Sequence, residues 1–104
     1  MTVHFISRHP GTRNWAESRG LSIDRWVDHL DLEDVLPGDE VFGTLPVHLA
    51  AAVCERGALY VHLALELPAS LRGRELTGAD LDRFGARLEA YEVRRLSEVD
   101  GSPA

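Results

Sequence analysis

The stretch Val41 to Leu67, VFGTLPVHLAAAVCERGALYVHLALEL, leaves few choices for the fold. Val41 and Phe42 read as a strand that ends at Gly43 and Thr44. Thr44 is placed to cap a helix, Pro46 to sit in its first turn and Gly57 to close it in a left-handed conformation. Leu59 to Leu67 then alternates, with Leu59, Val61, Leu63, Leu65 and Leu67 on one face and Tyr60, His62, Ala64 and Glu66 on the other. A strand, a crossover helix and a second strand form a βαβ unit, so the two strands should lie parallel. The turn into such a helix exposes free backbone N–H groups, which attract anions. His48 lies in that first turn, one step from any ligand held there.

The remaining elements are arranged around this unit. Thr2 to Ser7 alternates and is rich in β-formers, which predicts a first strand with Val3 and Phe5 on one face. Thr12 to Arg19 suits a short helix with Trp15 and Ala16 turned inward, and Gly20 is placed to stop it. Leu21 to Leu30 reads as an edge strand because it carries Asp24, Arg25 and Asp28. Asp31 to Asp39 reads as a turn or single helical turn. After a loop from Pro68 to Leu76, Thr77 and Asp80 form a capping-box start. Leu81, Phe84, Leu88 and Tyr91 follow at helical spacing, predicting a last helix that runs to about Val93 or beyond. Together these give one α/β domain over residues 1–99 and a frayed tail at 100–104. The sheet should be mostly parallel, with about four strands and helices on both faces.

Composition narrows the function. No apolar run approaches the ~20 residues of a membrane helix, and MTVHFISRHP lacks the marks of a signal peptide, so the chain is expected to be soluble and cytoplasmic. A formal net charge of -6 argues against a protein that coats long nucleic acid, though not against a small anionic ligand. All eleven basic residues are arginine, whose planar fork suits phosphate. The single Cys54 falls among alanines and reads as core filler. There is no metal-ligand spacing and no Walker or dinucleotide glycine motif, so neither a metal nor another cofactor is expected.

In parallel α/β sheets, ligands sit outside the carboxyl ends of the strands. Those ends carry Ser7-Arg8-His9-Pro10-Gly11, Gly43-Thr44-Leu45-Pro46-Val47-His48, and Pro68 through Glu75, the inventory of a phosphate site with an acid or base at hand. His9 or His48 is the candidate for proton transfer and Arg8 for the phosphate, with the Ser7 and Thr44 regions holding a ligand's backbone. Gly11, Pro46, Arg72 and Glu75 complete the ligand-binding candidates with Trp15, whose ring suits either base stacking or the core. Ser7 and Thr44 also suit plain turn or helix caps, Arg72 and Arg74 a solvated loop, and Glu75 a partner to either arginine. His4, His29 and His62 fall in expected strands and read as structural or interfacial.

At SRHPGTRNWA, GTLPVHLAAAVCERGALYVHL and LPASLRGRELT the sequence resembles a small family of type III CRISPR-associated accessory proteins, over Val3 to about Tyr91. The resemblance implies a Rossmann-like domain, ring nuclease activity on cyclic oligoadenylate second messengers, a cyclic tetra-adenylate ligand and a homodimer. A ribose 2′-hydroxyl in line with the next phosphate can open such a ring without a metal. The alternatives are a module of the same fold that binds the messenger without cutting it, a phosphatase, and an interaction protein that uses the mixed face of the fourth strand. The phosphatase reading rests on the similarity of Arg8-His9 to the Arg-His-Gly signature of histidine phosphatases, from which Pro10 departs.

Overall fold

The computed structural model describes residues 1–101. In chain order the elements are β1 (Val3–Ile6), α1 (Pro10–Ser18), β2 (Arg25–Val27), β3 (Glu40–Gly43), α2 (Val47–Glu55), β4 (Leu59–Ala64), α3 (Gly78–Arg83) and β5 (Arg87–Tyr91). Short 3-10 turns at Leu32–Asp34 and Ala69–Leu71 interrupt the two longest connections. The strands form one sheet in the order β2-β1-β3-β4-β5. β1, β2, β3 and β4 run parallel, and β5 is antiparallel to β4.

Both faces of the sheet are covered by apolar side chains. On one face α1 and α3 bury Trp15, Ala16 and Leu81 against Phe5 and Leu63, and Phe5 stacks on Trp26 of β2 at 4.6 Å. On the other, α2 packs Ala50 and Val53 against Val41, Tyr60 and Val35. Both faces of β4 therefore contribute to a core, which explains the near-continuous apolar character of this central strand.

The fold departs from the sequence reading at its end. The expected long helix from Thr77 stops at Arg83. Its capping box forms as read, since Thr77 Oγ1 accepts from Asp80 N at 3.1 Å and Asp80 Oδ2 from Thr77 N at 3.0 Å. Gly85 then takes φ 70°; its N–H donates to the Asp82 carbonyl and that of Ala86 to the Leu81 carbonyl, the Schellman pattern that ends a helix. Arg87–Tyr91 becomes a fifth strand, so the sheet is mixed and has five strands rather than four.

Other boundaries shift too: β4 stops at Ala64 rather than Leu67, and α1 begins at Pro10 rather than Thr12. β2 is confined to Arg25–Val27, which leaves Asp28, His29 and Leu30 in a loop rather than in the expected strand. Thr44 does not cap α2, because the cap position falls at Pro46 and the Thr44 hydroxyl donates to the Leu63 carbonyl at 2.8 Å. Gly57 closes α2 with φ 82°. Of the tail expected at 100–104, residues 102–104 lie outside the described residues. Among the described residues no helix is long and apolar enough to cross a membrane.

Candidate functional site

The strand order fixes where a cleft must open. The chain grows outward from β1 toward β2 by way of α1, then returns to the other side of β1 and continues through β3 and β4 by way of α2. The two helices cover opposite faces, so the loops leaving β1 and β3 part from one another at the carboxyl edge, where open α/β sheets bind ligands.

A cavity of about 840 Å³ opens at this point. That is toward the upper end of the ~300–1,000 Å³ that holds small-molecule ligands. Its wall includes Ser7, Arg8 and His9 from the β1 end, and Gly43, Thr44, Leu45 and Pro46 from the β3 end. Gly73, Arg74 and Glu75 come from the long loop, and Asp28, His29 and Leu30 from the β2 end. Phe5, Leu63 and Leu65 add an apolar floor.

The local chemistry follows from how each loop is held. Ser7 Oγ accepts from His9 N at 3.1 Å, a tight turn that fixes Arg8 and His9 at the start of α1. Neither α1 nor α2 has a side-chain cap, but Pro10 carries no N–H, Thr12 N donates to the His9 carbonyl and Leu49 N to the Pro46 carbonyl, and the other first-turn residues Gly11, Val47 and His48 lie outside the cavity wall. Among the described residues Arg13, Arg19, Arg25 and Arg87 are held in ion pairs, and Arg56 donates to the Val35 carbonyl. Arg8 and Arg74 are exposed and enter no such pair, although Arg74 helps hold the Asp80 carboxyl below its ordinary range, behind the Thr77 hydrogen bonds. Two guanidinium groups are thus left beside the cavity to meet an anion.

Not every candidate from the sequence faces the cavity. Ser7, Arg8, His9, Thr44, Pro46 and Glu75 are in its wall, whereas His48, Arg72, Gly11 and Trp15 are not. His48 is exposed in the first turn of α2, flanked by Pro46 and Leu49 of the wall, and Arg72 is exposed beside Gly73. Trp15 is a core residue, 3% exposed, with its indole N–H donating to Asp82 Oδ1 at 3.0 Å and the Arg19 guanidinium over its ring. Gly11 serves close packing, since a Cβ there would lie 2.0 Å from the Leu76 carbonyl oxygen.

The model of a protein family described as "Putative CRISPR-associated protein (Cas_VVA1548)" matches residues 4–94. The chain belongs to that family. The match runs from β1 through β5 and takes in every loop of the cavity wall of this CRISPR-associated protein. No curated protein and no solved structure matches it.

The structure adds wall residues of this CRISPR-associated protein that sequence reasoning did not select. His29 and Asp28 were hidden by the overlong second strand; the charged run Asp28-His29 directly after Val27 was the available signal that the strand ends there. Arg74, which the sequence offers only as part of a solvated loop, reaches the wall, whereas the candidate Arg72 does not.

Proposed function

We propose that this CRISPR-associated protein binds cyclic tetra-adenylate in the rim cavity and opens the ring by attack of a ribose 2′-hydroxyl on the adjacent phosphate. The observation that carries the reading is the meeting of Arg8, His9, His29 and Arg74 around one cavity at the switch point of the sheet. On this reading the domain is a Rossmann-like sensor of a type III system with one antiparallel strand added.

The chemistry needs positioning and charge stabilisation more than a reactive side chain. Arg8 and Arg74 hold the phosphate and stabilise the charge on its oxygens. His9 takes the 2′ proton as the O2′–P bond forms, and His29 returns a proton to the 5′ oxygen as the P–O5′ bond breaks. The product ends are a 2′,3′-cyclic phosphate and a 5′-hydroxyl, with no water consumed. Glu75 and Asp28 accept from the exocyclic amino groups of adenine, and the apolar floor takes the base rings. A two-fold symmetric ring suits a homodimer in which each protomer presents one copy of these loops, His48 among them.

Equilibrium binding tests the site. Cyclic tetra-adenylate is expected to bind the wild type more tightly than linear tetra-adenylate, and Arg8→Ala to weaken binding of the ring. Equal binding of ring and linear forms, or an indifferent Arg8→Ala, contradicts this placement of the ligand.

A further inference from the structure

The loop that brings Gly43, Thr44, Leu45 and Pro46 to the cavity is held by β4. Thr44 Oγ1 donates to the Leu63 carbonyl at 2.8 Å, and Leu45 N–H donates to the Tyr60 hydroxyl at 3.0 Å. The same hydroxyl lies 3.2 Å from the Gly43 carbonyl and 2.7 Å from His62 Nδ1. Tyr60 is 2% exposed, and its burial raises the phenol pKa, which keeps the group protonated. Gly43 has little room to yield, with φ 153° and a notional Cβ only 2.9 Å from the Ile6 carbonyl oxygen.

A phenol carries one proton. With Leu45 N–H already donating to the oxygen, that proton goes either to the Gly43 carbonyl or to His62 Nδ1. When His62 carries its proton on Nε2, Nδ1 accepts from Tyr60 and the Gly43 carbonyl is left outside the network. When Nδ1 is protonated, His62 donates to the phenol, the phenol proton turns to Gly43, and one oxygen then clamps the loop from both sides. His62 is half-buried opposite Glu89 of β5, with the Tyr91 ring edge-on at 5.8 Å.

We infer that Tyr60 and His62 are positioning residues for the cavity, forming a two-state latch that sets how tightly the β3–α2 loop is held for the ligand. The identity of that ligand rests on the function proposed above; the latch rests on the hydrogen bonds alone. Neither residue is in the cavity wall, so each acts through Gly43 and Leu45.

The test is hydrogen exchange at the Leu45 amide, with binding of cyclic tetra-adenylate measured on the same full-length proteins. Tyr60→Phe keeps the ring and removes the oxygen, and is expected to speed exchange at Leu45 by about tenfold, the loss of one net hydrogen bond, while Val61 stays protected. His62→Leu is expected to speed it less, and His62→Asn, which keeps a polar group near Nδ1, to restore the wild-type rate. Weaker ligand binding should follow the same order. Unchanged exchange in Tyr60→Phe overturns the latch, as does equal exchange in His62→Leu and His62→Asn; if Tyr60→Phe does not fold, the His62 pair decides. Failure of the wild type to bind the ring overturns the proposed ligand and leaves the exchange result to judge the latch.

Discussion

His4 Nε2 and Asp39 Oδ2 meet at 3.0 Å, with both side chains buried, at the end of the sheet away from the cavity. Asp39 also accepts from Thr2 N at 2.9 Å and Leu36 N at 3.0 Å, so one carboxylate ties the starts of β1 and β3 together. The His4 hydrogen bond first, and the two backbone donors after it, hold this carboxyl well below its ordinary value of 3.8.

This clip predicts an acid-sensitive contribution to stability. Because the folded pKa is depressed, the unfolded chain takes up the proton first as pH falls. The contribution is complete above the ordinary value of 3.8 and is lost as pH drops below it toward the folded pKa. Urea unfolding of the wild type should therefore weaken more steeply between pH 5 and pH 2.5 than that of Asp39→Asn, which should also be less stable at pH 7. Parallel curves would count against the clip.

Gly11→Ala should be among the most damaging single substitutions. The added Cβ meets the Leu76 carbonyl oxygen at 2.0 Å, and because that atom is backbone, no rotamer change relieves the clash. Overpacking of this kind costs about 1–3 kcal/mol, and the backbone contact puts this position at the upper end. Denaturant titration reads it directly; a loss below half a kilocalorie per mole would mean that α1 and the Leu76–Thr77 segment separate easily.

The histidines should separate by their place in the wall. His9→Ala and His29→Ala are each expected to slow ring opening by about 10²–10⁴-fold while binding is retained, the usual contribution of a positioned acid or base. His48→Ala, outside the wall, should slow it less. Single-turnover rates at saturating protein check the order, and a dominant His48 would move the proton transfer to the start of α2.

Arg8 and Arg72 should differ in the same way. Arg8→Ala removes a charge-assisted contact and should raise the Kd for the ring by about ten- to a hundredfold, whereas Arg72→Ala should change it little. Repeating the titration at several salt concentrations should show a shallower salt dependence for Arg8→Ala.

The βαβ unit was legible because alternation in β4, an alanine-rich helix and Gly57 at its end agreed, although the Thr44 cap did not form and β4 stopped at Ala64. The gathering of loops at the carboxyl edge was legible too, since it follows from parallel order. β5 was not, because Leu81 and Leu88 stand at a helical spacing yet both reach the core beneath α1 by a helix, a turn and a strand. Gly85 was the overlooked signal: a helix that runs past it must forgo the Schellman ending that Gly85 and Ala86 form here. His29 was misplaced for a related reason, as β2 is an edge of three residues and nothing apolar marks where it stops. The Tyr60–His62 contact was beyond sequence reasoning, because same-face neighbours on a strand show proximity but not the loop they hold.

The most direct measurement is product analysis of cyclic tetra-adenylate after incubation with an excess of the full-length protein in EDTA. The account predicts linear products bearing a 5′-hydroxyl and a 2′,3′-cyclic phosphate, at a rate that falls in His9→Ala. A ring recovered intact after prolonged incubation, with binding demonstrated in the same sample, would contradict cleavage and leave a protein that only holds the messenger.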